Sequence, residues 1–155
     1  MKKIAVGKHF ALVDDEDFEV LSQFTWRLTR KGYATRHLPR DGGPQKSMLM
    51  HRQIMGLNKG DRVEVDHRNG NKLDNRRNNI RVATPSQNMA NVSLRSDNTS
   101  GCKGVHWYKA GKKWKAYISY NKKQKHLGTF DTKELAIEFR QLAAELLHGE
   151  YVNHG

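Results

Sequence analysis

The chain has 155 residues, 36 % of them hydrophobic, and a formal charge of +12 at pH 7, which leaves room for one ordinary domain or two very small ones with modest cores. Such an excess of positive charge is self-repulsive and not required for folding, so it implies a polyanionic partner, nucleic acid first. No apolar run approaches a membrane span and the basic start, Met1 to Lys3, leads into no signal-peptide core, so an intracellular protein without a membrane partner is expected. Cys102 is the only cysteine, which excludes an intrachain disulfide and any paired-cysteine structural zinc.

In chain order, His9 to Val13 reads as a strand and Asp14 to Leu21 as a short acidic-capped helix. Trp26 to Thr29 and Tyr33 to His37 flank Arg30, Lys31 and Gly32 as a hairpin would. Pro39 to Pro44 is a loop. Ser47 to Gly56 reads as a strand running into a short helix stopped by glycine. Arg62 to Asp66 is a strand, Asn69 to Asn79 a long polar loop, and Ile80 to Val82 a second strand. Thr84 and Pro85 are a cap and first-turn pair for a helix carrying Gln87, Asn88 and Met89. The polar stretch from Met89 to Gly101 has no apolar period and reads as a linker.

Within VDHRNGNKLDNRRNNIRVATPSQN (Val65 to Asn88), the order strand, loop, strand, helix gathers chemistry suited to phosphodiester hydrolysis. That reaction needs an activated water and a cation against the charge growing on phosphate. His67 has the side chain to accept a proton from water near neutrality. Asp66 and Asn88 offer oxygen donors to a hard divalent cation, magnesium first and manganese second, that keeps some of its waters. The amide of Asn79 can brace the loop behind His67. Each residue alone reads as an ordinary loop, turn or cap group; the joint spacing is what carries the signal.

That spacing, with Asn79 twelve positions after His67 and Asn88 nine further, resembles the HNH endonuclease family in its phage and intron-encoded homing variant, where asparagine replaces the last histidine. IRVAT (Ile80 to Thr84) and MHRQIMG (Met50 to Gly56) extend the likeness. The resemblance implies a ββα-metal finger at about 62–92, with His67 as general base, Asp66 and Asn88 as metal ligands and Asn79 structural. His51, brought in by the lead-in, is either a phosphate contact, a supporting group behind the reacting ones, or a structural histidine. Arg76, Arg77 and Arg81 are read as phosphate contacts or solvated side chains.

From Lys103 to Lys125 there are eight lysines, Lys122 among them, and no acid. Strand alternation in KWKAYIS puts Trp114, Ala116 and Ile118 on a core face and Lys113, Lys115, Tyr117 and Ser119 on a cationic one. Further strands are expected at Gly104 to Tyr108 and Lys123 to Phe130, with Trp107 in the core. Asp131 and Glu134 suggest a capping box for a helix that buries Leu135, Phe139, Leu142 and Leu146 and stops at Gly149. KGVHWY, KWKAYIS and HLGTFDTKELA resemble the AP2/ERF DNA-binding domain, which reads duplex DNA with a three-stranded sheet. The resemblance implies DNA contacts from Lys103, His106, Tyr108, Lys113, Lys115, Tyr117, Ser119, Gln124 and His126.

The whole is expected to be α+β: a nuclease domain over 1–92, a linker over 93–101, and a small antiparallel sheet with one helix over 102–155. The function expected is metal-dependent cleavage of double-stranded DNA by a monomer that nicks at a site chosen by the second domain, inside the bacterial host of a phage or mobile element. The alternative is a DNA-binding regulatory protein with an inactive nuclease domain.

Overall fold

The computed structural model describes residues 1–58, 60–121 and 123–153. The chain divides into two compact units, Met1–Val82 and Ala83–Gly155. Composition placed the boundary ten residues later. The difference follows the helix after Thr84, which packs against elements of the second unit.

The first unit opens with an unanticipated strand, β1 (Lys2–Val6), paired antiparallel with β2 (His9–Val13) so that Lys2 faces Val13 and Val6 faces His9. Alternation then buries Ile4, Val6, Ala11 and Val13 on one side. Helix α1 (Asp15–Leu21) turns Leu21 into that core. The Trp26 indole fixes the exit from the helix by donating to the Leu21 carbonyl at 2.8 Å. Strands β3 (Arg27–Leu28), β4 (Ala34–His37) and β5 (Ser47–Leu49) form an antiparallel meander. Helix α2 (Met50–Ile54) follows without a break and buries Met50, His51 and Ile54. Strands β6 (Glu64–His67) and β7 (Ile80–Ala83) form a separate two-stranded sheet whose Val65 and Ile80 join the same core.

The second unit starts with helix α3 (Pro85–Asn91), where Thr84 and Gln87 form the complete capping box and proline occupies the first turn. Its far end is held by Lys103, whose Nζ donates to the carbonyls of Ala90 at 2.8 Å and Val92 at 2.6 Å. Asn153 adds a bond from its amide to the Asn91 carbonyl at 3.2 Å. The stretch expected as linker contains a knitted turn: Asn98 Oδ1 accepts from Gly101 N at 2.7 Å, and buried Ser100 donates to the Cys102 carbonyl at 2.8 Å.

Strands β8 (Val105–Tyr108), β9 (Lys113–Tyr120) and β10 (Lys123–Phe130) form an antiparallel sheet in the order β10-β9-β8, with a bulge between His126 and Gly128. Lys122, one of the eight lysines, lies outside the described residues. At Gly104 the backbone is left-handed, φ +75°, and a Cβ would sit 2.2 Å from the Tyr117 carbonyl oxygen, so only glycine fits beside β9. Helix α4 (Lys133–His148) covers one side of the sheet, capped by Thr132 rather than Asp131, which instead pairs with Lys113 at 2.9 Å.

The face that α4 buries is not the one its leucines suggested. Ala136, Arg140, Ala144 and His148 are buried, whereas Leu135, Phe139 and Leu142 are about half exposed and Leu146 is 87 % exposed. Ala136 and Ala144, eight residues apart on the buried face, let the helix approach the sheet closely, and the leucines and Phe139 are turned outward. Trp107, expected in the core, is 44 % exposed, with its ring against Trp114 at 5.3 Å.

Candidate active site

The loop between β6 and β7 is built from asparagine side chains that substitute for backbone partners. Asn69 Oδ1 accepts from Asn71 N at 2.9 Å and Asn71 Oδ1 from Leu73 N at 3.1 Å. Strand β2 then docks the loop: Leu12 N donates to the Leu73 carbonyl and Asn75 N to the Leu12 carbonyl, both at 2.8 Å. Asn79 spans the loop, accepting from Asn69 N at 3.1 Å through Oδ1 and donating to the Asp74 carbonyl at 2.7 Å through Nδ2. Its own carbonyl receives Arg68 N at 2.9 Å, which fixes the chain immediately after His67.

His67 ends β6 and is buried, with Nε2 3.4 Å from Oδ1 of fully buried Asn75. Three rings meet here. His51 stands edge-on to His67 at 5.1 Å, and Tyr33 lies 5.4 Å from His51 and 5.9 Å from His67. Burial pushes His67 below its ordinary range, against the bond to Asn75 and the carboxylates of Asp66 and Asp74 that draw it up. His51 is lowered to about 3, through burial first and then the neighbouring His67 and Arg52. Burial, Asp66 and Glu64 raise the Tyr33 phenol. At neutral pH both imidazoles are therefore uncharged, and His67 is able to accept a proton.

Asp66 is 5 % exposed and its Oδ2 receives Arg81 Nε and Nη2 at 3.0 Å each. Arg81, read from sequence as a phosphate contact or a solvated side chain, is thus a buried partner of the carboxylate beside His67. Arg76 grips Asp74 in a bidentate pair, 2.7 Å on each arm, and Arg77 does the same to Asp17 at 2.9 and 2.7 Å while also meeting Glu16. The arginine side of Asp74 holds its carboxyl below the usual range. These arginines are engaged by acids of the fold, two of them from α1.

Among the described residues no group of three or more histidine, cysteine and acidic side chains converges on one point. A cation held at Asp66 would meet a carboxylate oxygen, a donor that suits a hard ion keeping most of its waters. Asn88 lies in the second unit, on α3.

On the open side of the C-terminal sheet the rings stack across the strands. His106 lies flat on Tyr117 at 5.0 Å and 8°, and His126 leans on the other side of Tyr117 at 4.9 Å. Lys115 Nζ sits 3.6 Å above the Tyr108 ring. Thr129, not singled out from sequence, pairs with Lys115 across the sheet, and its Oγ1 is 3.4 Å from His126 Nε2. Ser119 and Gln124 form a cross-strand pair and are exposed. Lys103 is not on this face: its ammonium is spent on α3, and burial lowers its pKa.

Comparison with known proteins gives this geometry its class. Residues 49–90, from the end of β5 through most of α3, match the HNH endonuclease family. An uncharacterized HNH endonuclease of Acanthamoeba polyphaga mimivirus is 32 % identical over 146 residues, covering 92 % of this chain and 72 % of that one. Protein 3.8 of Escherichia phage T7 is 32 % identical over 87 residues, 56 % of this chain and 71 % of that protein. No solved structure matches significantly. The chain belongs to the HNH endonuclease family, whose members act on DNA and generally use a divalent metal.

Proposed function

We propose that the protein is a metal-dependent endonuclease of the homing type that hydrolyses phosphodiester bonds in duplex DNA, one strand at a time, with the C-terminal sheet acting as an AP2-like selector of the site. The observation that carries the reading is a buried His67 that follows Asp66, meets Asn75 at 3.4 Å and precedes a loop braced by Asn79.

In this reading His67 takes the proton of the attacking water as its oxygen bonds to phosphorus, and the bond to the departing deoxyribose oxygen breaks, that oxygen taking a proton from solvent. Asn79 keeps the loop, and so the imidazole, in one place. Asp66 would be the charged ligand of a divalent cation, magnesium or manganese, with Asn88 its companion by sequence pattern. When bound, the cation offsets the charge that grows on the phosphate oxygens. His51, buried against His67, supports the ring without reaching solvent.

The stacked sheet face is proposed to contact duplex DNA through His106, Tyr108, Lys115, Tyr117, Ser119, Gln124 and His126, with Lys113 released from Asp131. A sheet can lie in the major groove, and the lysines supply a salt-dependent grip.

Supercoiled plasmid incubated with the protein and magnesium or manganese should relax to open circle, and EDTA or His67→Ala should stop it. Relaxation that survives His67→Ala would remove the catalytic assignment. Tight DNA binding with no cleavage by the wild type would favour a DNA-binding regulatory protein.

A further inference from the structure

Resting on the nuclease reading for the substrate, we infer that Lys72 and Lys31 form a phosphate clamp at the Tyr33 edge of the three-ring group, holding the backbone of the DNA strand to be cut.

Arg76, Arg77 and Arg81, the cations that the sequence offers for phosphate, are each given an acid by the fold: Asp74, Asp17 with Glu16, and Asp66. Lys72 is given none. It lies on the loop between β6 and β7, five residues after His67. The backbone on either side of it is fixed, since Leu73 N donates to Asn71 Oδ1 at 3.1 Å and the Leu73 carbonyl accepts from Leu12 N at 2.8 Å. Its Nζ reaches across forty-one positions to the turn between β3 and β4 and donates to the Lys31 carbonyl at 2.9 Å. The stem passes Gly32, where a Cβ would lie 3.7 Å from Lys72 Cδ. The ammonium stands 5.0 Å from the centre of the Tyr33 ring, which itself meets His51 at 5.4 Å and His67 at 5.9 Å.

The receiving turn is rigid. Thr29 N donates to the Tyr33 carbonyl and the Thr29 carbonyl accepts from Gly32 N, both at 2.9 Å, while the Thr29 hydroxyl accepts from Tyr33 N at 3.0 Å. Lys31 and Lys72 are both exposed, and among the described residues neither has a carboxylate partner. The tether thus brings a second ammonium to a turn that already carries a lysine, like charge beside like. An anion between them relieves that repulsion. One of the three donors of Lys72 is spent on the carbonyl and two are left. The Tyr33 face attracts the cation without neutralising it. A lysine meets phosphate as a point charge and needs no bidentate geometry, and the DNA backbone supplies a charge at every nucleotide.

The full chain is titrated with a short fluorescent duplex in EDTA at several salt concentrations, and the same proteins are assayed on supercoiled plasmid with magnesium. Lys72→Ala and Lys31→Gln should each lower the salt slope of binding by about one. Each should raise KM about tenfold with kcat little changed, the mark of a lost binding contact. Lys72→Arg, which keeps the charge, should keep the slope. Lys31→Gln leaves the Lys31 carbonyl in place, so its Tm should match wild type.

Slopes and KM equal to wild type in both charge-removing variants would overturn the inference. So would a Lys72→Ala protein with a lowered Tm and an unaltered slope, because Lys72 would then be a strut for the hairpin. A fall in kcat at constant KM would also count against it, placing the lysines at the reacting atoms instead of along the strand. If wild type cuts no DNA, the nuclease reading fails while the salt slopes still decide whether the clamp meets phosphate. If Lys72→Ala does not fold, Lys31→Gln decides it.

Discussion

Arg81 and Asp66 meet through one carboxylate oxygen, Oδ2, with two guanidinium nitrogens 3.0 Å from it. In a buried pair, removal of one partner leaves a charge that the fold must accommodate. Arg81→Leu is expected to cost about 3 kcal/mol in EDTA. Magnesium should then raise the Tm of the variant more than that of wild type, because a cation on Asp66 would take over part of what the guanidinium did. Unfolding scans with and without magnesium decide this; an equal response of both proteins would count against Asp66 as the cation's ligand.

His51 titrates at about 3 in the folded protein against an ordinary value of 6.5. Between those values the unfolded chain binds a proton that the folded one refuses, so stability is complete above about 6.5 and falls as pH drops toward about 3. His51→Phe should flatten that decline by an amount on the order of a few kcal/mol. Urea unfolding from pH 7 to 4 measures it, and parallel curves for the two proteins would show that His51 does not drive the acid loss.

Asp74 has the opposite chemistry. Arg76 and then Asn69 favour its carboxylate, so its folded pKa lies below the unfolded one and its contribution is present above about pH 4 and lost on further acidification. Asp74→Asn is expected to cost about 2 kcal/mol at pH 7, with the difference from wild type vanishing in strong acid. A difference that persists unchanged to the lowest pH would point to packing instead of charge.

Helix α4 should tolerate change where its sequence looks most apolar. Leu146→Ser, at 87 % exposure, should move stability by no more than about 0.5 kcal/mol. Ala144→Leu, at 0 % exposure against the sheet, should cost about 1 to 3 kcal/mol through overpacking. Guanidinium midpoints rank the two, and the reverse order would restore the leucine face as core.

Two lysines of the second unit should separate by their effects. Lys115→Ala is expected to leave stability nearly unchanged and reduce the salt slope of DNA binding by about one. Lys103→Met should cost about 2 kcal/mol, the worth of hydrogen bonds to a charged donor, with the slope unaltered. Filter binding at several salt concentrations beside thermal melts distinguishes them.

The local parts of the site were legible because they are local. Asp66, His67 and Asn79 sit in one short stretch, and Thr84, Pro85 and Gln87 are a cap written in consecutive residues. Partners distant in sequence were not. Arg77 reads as a free cation until α1 brings Asp17 to it across sixty positions, and Lys103 reads as a DNA contact until α3 offers two carbonyls. In α4 the period of Leu135, Phe139, Leu142 and Leu146 announces a helix whichever side is buried; the alanines that decide the side carry little hydrophobic weight. Asn75 stands among several asparagines of the same loop, and only its contact with His67 sets it apart.

The Lys103 clasp also bears on how such a protein could be recombined. The polar stretch 93–101 looks like a natural splice point for exchanging one C-terminal sheet for another, but a cut there would take away the ammonium that meets the last carbonyls of α3. A transplanted sheet would have to bring a donor of the same reach, or the chimera would fray at the helix that carries Asn88. The end of α3 and Lys103 therefore belong to one piece in any such exchange.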